Sequence, residues 1–294
     1  MAIIDSHLHL WNPDTLSYPW LTGALRRRYA QQEIAQAKVN RQAVNAIFVQ
    51  AECEPHQYID EVRWVESVAH EVGVIGIVAG AHLHRGEETS AHLAALATYD
   101  SVVGVRHLLQ SEPDTLVTTA AFLDGARQVA ERGWTFDACV RHEQLAAVVQ
   151  LAQQVPELPI VLDHVGKPAV GTALAPRHPD ATWLRQLNDL ASLPRTAVKL
   201  SGLPAEAAGD WNSRQLEPFL DAATDAFGVD RVLWGSDWPV SAVRAGHHET
   251  DTRYEADARA RWADAVATWA DARGYDVAAV MGGNAARFYS IQGV

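Results

Sequence analysis

Two histidines, His7 and His9, stand two residues apart in the apolar run IIDSHLHL near the start of the chain. In an extended strand, residues i and i+2 project from one face. Both imidazoles are therefore expected to point together where that run ends. Other β-rich runs carry ionisable groups near their ends in the same way. Gln50 and Glu52 follow one, Arg106 and His107 close another, and Asp137 lies in a third. Asp163 and His164 precede Gly166-Lys167-Pro168, Lys199 and Ser201 lie in VKLSGL, and Ser236-Asp237-Trp238 follow VLWG. Imidazoles and carboxylates gathered in one place can take up, release and orient protons near neutral pH.

Taken singly, each residue has a plainer reading. A strand-end histidine is commonly hydrogen-bonded and structural, and an aspartate after Gly-Ser commonly caps a turn. Asp5 could tie the strand edge, Lys167 could be a solvated loop charge, and Trp238 could be core. Asp163 and His164 are adjacent, so in an extended strand at most one faces inward. The accumulation at one end of several strands is what favours an active site.

The elements that must position these groups recur along the chain. Eight short runs rich in β-branched and aromatic residues begin with AIIDSHLHL and continue through VNAIFVQAE, VIGIVAGAHL, VVGVRHLL, WTFDACV, PIVLDHVG and TAVKLSGL to VLWGSDWPV. Most are separated by segments with apolar residues at helical spacing, such as Ile59, Val62, Val65, Val68 and Val72, with Gly73, Gly133 and Gly228 as stops. Near-continuous apolar strands alternating with helices imply a parallel sheet covered by helices. Eight of them favour an α/β fold of the closed (β/α)8 TIM type. The reading is one domain over residues 1–294, with loop insertions near 11–43 and 168–182. No Gly-x-Gly-x-x-Gly or Walker loop follows the first strand. In such barrels catalytic groups come from the C-terminal strand ends.

With 24 Lys+Arg against 36 Asp+Glu the net charge is −12, which argues against nucleic acid or an anionic membrane as partner. Two cysteines, Cys53 and Cys139, lie in apolar contexts without metal-type spacing, as expected in a reducing compartment. The first residues show no signal-peptide pattern and no run spans a membrane, so a cytoplasmic location is expected. The acidic stretch ETDTRYEADARARWADAV reads as a solvated amphipathic helix.

IIDSHLHLW, VLDHVGKP, VKLSGL and WGSDWPV, in that order, together with SYPWL and GVRHLLQ, resemble the amidohydrolase superfamily, and within it the sugar-lactone hydrolases of the L-fuconolactonase and L-rhamnonolactonase type. The resemblance covers essentially the whole chain and implies an amidohydrolase-like barrel. It implies Asp237 as the base that activates water, His7 and His9 as a metal-binding or substrate-polarising pair, and His164 as a histidine facing the site. Arg106, Lys167, His107 and Trp238 are the candidate substrate contacts. Where members with two metals carry a bridging lysine and a fifth-strand histidine, this chain has Arg106-His107 and Asp137, so a two-metal centre is not expected. The resemblance is compatible with one zinc ion on His7, His9 and Asp237, joined by Asp137 or His164, and equally with a metal-free site.

The implied chemistry is the opening of a sugar lactone, such as L-fucono-, L-rhamnono- or a related aldonolactone, by water. No Gly-x-Ser-x-Gly elbow is present, which disfavours an acyl-enzyme. Ten tryptophans offer apolar faces for a sugar, with Trp11, Trp20 and Trp238 nearest the expected mouth. The alternatives are a metal-dependent decarboxylase or lactone isomerase of the same superfamily, and a non-catalytic sugar-acid-binding barrel. A monomer or a homodimer is compatible with the sequence.

Overall fold

The computed structural model describes residues 3–39, 44–207, 210–243 and 252–293. Eight strands, β1 (Ile4–Leu8), β2 (Asn45–Val49), β3 (Val74–Gly80), β4 (Val102–Arg106), β5 (Thr135–Ala138), β6 (Ile160–Leu162), β7 (Thr196–Leu200) and β8 (Val232–Trp234), pair in parallel in that order. The barrel closes through the segment after β8: Leu8 bridges Trp238, His9 N donates to Trp238 O at 2.9 Å, and Asp237 N donates to His7 O at 2.8 Å. The expected (β/α)8 TIM-type architecture is the one observed.

Alternation along the strands sorts side chains into two layers. Ile4, Ile47, Val49, Val78, Val161, Ala197 and Leu233 face the barrel interior, while Phe48, Ile77, Val198 and Trp234 pack outward under the helices. Ala285 and Tyr289 of the C-terminal segment join the interior cluster. Ile4 and His7 both face inward although three residues apart. A register irregularity between Asp5 and Leu8 supplies the odd residue.

The helix Tyr58–Val72 shows how the outer layer is laid down. It buries Val62, Val65, Val68 and Val72, as their spacing predicts, but Tyr58 and Glu61 rather than Ile59 complete its inner face. Gly73 stops it in the left-handed conformation, φ 77°. Part of the acidic stretch, residues 249–251, lies outside the described residues, as do 40–43 of the first insertion. The described remainder belongs to the helix Thr252–Ala272 and is not simply solvated. Trp262 is buried, and Arg259 reaches Asp5, its Nε 2.9 Å from Oδ2. Asp5 also accepts from Ser236 N at 2.8 Å and Ser236 Oγ at 2.6 Å. It therefore fastens β1 to the segment that follows β8.

Candidate active site

His7, His9, His164 and Asp237 converge at the C-terminal end of the barrel. His7 Nε2 lies 3.1 Å from His9 Nε2, and Asp237 Oδ1 lies 3.7, 3.5 and 3.8 Å from Nε2 of His7, His9 and His164. His9 Nδ1 sits 2.7 Å from Val49 O. A carbonyl accepts only, so Nδ1 donates to it and Nε2 faces the site. His164 Nδ1 is held by Ser201 Oγ at 3.0 Å, and Ser241 Oγ donates to Asp237 Oδ2 at 2.7 Å.

The backbone makes room for these rings at two glycines. A Cβ on Gly202, which has φ 68°, would lie 2.4 Å from His164 Nδ1, and one on Gly235 would lie 2.8 Å from His7 Cβ. A side chain at either position would displace an imidazole.

Asp163 and His164 both enter the site, which corrects the expectation that only one would. β6 ends at Leu162, and the chain turns left-handed at His164 (φ 54°, ψ 33°) and Val165. Strand alternation therefore stops before the pair begins. Asp163 Oδ1 lies 3.2 Å from His7 Nδ1 and 3.0 Å from Lys199 Nζ, and its Oδ2 lies 3.5 Å from an Arg106 nitrogen.

Beneath this quartet is a buried ionic floor. Lys199 pairs with Asp137 and Asp163 and lies 3.1 Å from His7 Nδ1, and Tyr289 donates to Asp137. Lys199 thus stands between Asp137 and the quartet. Asp137, expected as an optional metal ligand, is a partner of Lys199 and Tyr289 instead. Burial raises the Asp137 pKa to about 6 against the pull of Lys199. Burial lowers the Lys199 pKa, but its two carboxylates outweigh burial and hold it above the ordinary value.

The quartet shares one electrostatic logic. Burial opposes the Asp237 charge, yet His164, His9 and His7 outweigh it and hold the carboxyl well below its ordinary range. Burial depresses His164 to about 4, with Asp237 and Asp163 opposing, and pushes His7 well down too. Both rings are neutral at pH 7, and the carboxylate carries the charge.

A cavity of about 560 Å³ opens over the quartet, lined by His9, His164 and Asp237 and by Arg106, Lys167 and His107 among others. That volume lies in the range of small-molecule sites. Arg106 donates to Gln50 O at 2.6 Å, and Lys167 Nζ donates to Gln110 Oε1 at 2.5 Å. Trp238, expected as a substrate contact, is buried edge-on against Tyr29 and does not line the cavity. Of the other two tryptophans expected at the mouth, Trp20 lines it, and Trp11 is buried between Trp20 and Tyr29.

The donor set fits a zinc ion. Zinc–nitrogen and zinc–oxygen bonds of ~2.0–2.1 Å in a tetrahedron place ligands about 3.3 Å apart. The separations of 3.1, 3.5 and 3.7 Å among His7, His9 and Asp237 bracket that value. His7 Nδ1 faces Asp163, the second partner that holds a ligating ring in orientation.

Comparison with known proteins follows the same line. The amidohydrolase family profile matches residues 4–291. An L-fucono-1,5-lactonase of Burkholderia multivorans is 33% identical over 301 residues, covering 98% of this chain and 96% of that protein. An L-fucono-1,5-lactonase of Burkholderia ambifaria is 30% identical over 98% of this chain and 95% of its own length. Among solved structures, a B. multivorans amidohydrolase with bound zinc superposes with a TM-score of 0.80 at 31% identity, covering 99% of this chain and all of that one. The chain belongs to the amidohydrolase family.

Proposed function

We propose that this protein is a lactonase that opens a sugar-acid lactone, such as L-fucono-, L-rhamnono- or a related aldonolactone, with Asp237 as the base. The observation that carries this reading is the buried carboxylate of Asp237, set among three imidazoles at the base of a cavity that also presents Arg106 and Lys167. The full-length likeness to sugar lactonases supports the substrate class.

A lactone is a cyclic ester. A water held by Asp237 attacks its carbonyl carbon and passes a proton to the carboxylate as the new C–O bond forms. The low Asp237 pKa keeps the base ionised but weak, so the developing oxyanion must be stabilised as well. Arg106, buried with one edge on the cavity, and the imidazole wall are placed to do that. When the tetrahedral intermediate collapses, the ring C–O bond breaks and the ring oxygen leaves as a hydroxyl. Its proton returns from Asp237. His164 is neutral at pH 7, which makes it an orienting group rather than a proton store. The product is a sugar acid whose carboxylate faces Arg106. A zinc ion bound by His7, His9 and Asp237, with His164 adjacent, would supply Lewis-acid polarisation of the carbonyl.

The reading includes a cytoplasmic enzyme that acts as a monomer or homodimer, and the two cysteines are free. The test is a pH-indicator screen of fucono-, rhamnono-, galactono-, arabino- and xylonolactones, with chelator or with added zinc. Acid release from at least one is expected, and chelator sensitivity would report a working metal. No acid from any lactone under either condition would overturn the proposal.

A further inference from the structure

A second group of histidines lies apart from the quartet. His82 and His84 follow β3 in the stretch AHLHRG, and His107 follows β4. Each can offer a ring nitrogen within 4.8 Å of the other two. The rings of His82 and His107 meet edge-on at 4.8 Å, and His84 stacks on His107 at 5.3 Å.

The nitrogens of this group are poorly satisfied. Both nitrogens of His82, Nδ1 of His84 and Nε2 of His107 are buried without a hydrogen-bond partner. Each such atom has given up its bond to water without gaining another. Four in one place, from rings that border one another, point to a guest that binds imidazole nitrogen once each ring turns its lone pair toward it.

The chemistry narrows the guest. Burial holds His82 at about 4 and His107 at about 3, so these two rings are neutral at pH 7 and attract no anion. Neutral imidazole nitrogens suit zinc and its neighbours cobalt, nickel and copper. Glu112 Oε1 lies 3.8 Å from His107 Nε2 and brings negative charge. The Arg85 guanidinium, which bears on His82 and His107, opposes a cation there, and Glu88 lies 3.9 Å from it. For His107 to bind through Nε2 its proton must move to Nδ1 and release the Leu83 amide. That contact is 3.4 Å, beyond the range of a good bond, and little is lost.

We propose that His82, His84 and His107 form a second binding site for a divalent transition-metal ion, with Glu112 beside it. The site stands independently of the lactonase reading and of a metal on His7, His9 and Asp237. His82, His107 and Glu112 all line the cavity, so an ion there would face the same substrate space.

The experiment is a titration of chelator-treated, dialysed full-length protein with Co²⁺, followed by absorbance and calorimetry. Wild type, H9A and H82A/H84A are compared, each checked for folding by circular dichroism. The expected result is one Co²⁺ fewer in H82A/H84A than in wild type, with that ion retained in H9A. If the quartet takes no metal, wild type binds one ion and H82A/H84A none, so the two sites fail or stand separately. An unchanged stoichiometry in folded H82A/H84A would overturn the proposal. Should that variant not fold, the half-buried H84Q is the second probe, with an expected weakening of at least 100-fold. Imidazole resonances of His107 in wild type should shift or broaden as Co²⁺ saturates, and unmoved resonances would also overturn the site.

Discussion

His-x-His occurs twice beside strand ends, at His7/His9 and at His82/His84, and the two surroundings differ sharply. The first pair has Asp237 within 3.7 Å, Asp163 within 3.2 Å and Lys199 at 3.1 Å. The second touches Tyr58 and His107, and Glu112 comes no nearer than 3.8 Å to His107. Burial depresses rings in both places. What differs is the carboxylates: one environment sets buried carboxylates against its imidazoles, and the other gathers ring nitrogens with a single carboxylate at its edge. Histidine spacing alone therefore does not fix what a site can do. The acidic residues that the fold brings to it set the two groups apart.

The largest effect should come from removing that charge. D237N should lower kcat by a factor of about 10³ or more while circular dichroism and melting stay near wild type. Near-normal turnover would remove the base and with it the contrast. K199M should leave Asp137 and Asp163 buried without their cation and cost about 3–5 kcal/mol in denaturant unfolding. A loss below about 1 kcal/mol would mean that the floor is not ionic. R106M should lower kcat/KM by roughly 10²-fold, and an unchanged value would move oxyanion stabilisation to another group.

The smallest effect concerns Glu61, a buried carboxyl outside both groups. Burial raises its pKa from 4.5 to about 8, and Ala51 N, 3.1 Å from Oε1, offsets only part of that. The folded state then holds a proton that the unfolded chain has lost. The stabilising contribution is complete below about pH 4.5 and disappears as pH rises through about 8. Wild type should therefore lose on the order of 1–3 kcal/mol over that window, and E61Q should flatten the slope. Parallel curves for the two proteins would assign the slope elsewhere.

The barrel was legible because its β-rich runs alternate with helical spacing, and Asp5 matched its reading as a tie at the strand edge. The convergence of His7, His9, His164 and Asp237 could be anticipated because each lies at or just beyond a strand end. Asp163 could not, since a left-handed turn at His164 and Val165, both non-glycine, leaves no local signal. The inward turn of His7 depends on a strand irregularity that alternation does not reveal. Lys199 was readable as a strand residue, but its pairing with Asp137 across the barrel is a product of closure. His82 and His84 had a signal, since AHLHRG repeats the spacing of SHLHL, and their meeting with His107 follows from the adjacency of β3 and β4.

The most direct test of ring opening by water is turnover, in H₂¹⁸O, of the aldonolactone that the pH-indicator screen selects, analysed by mass spectrometry against an enzyme-free blank. Enzyme-dependent product should carry one ¹⁸O, in the carboxylate and not in the released hydroxyl. Label in the hydroxyl, or an unlabelled isomeric lactone in place of the acid, would contradict attack of water on the carbonyl.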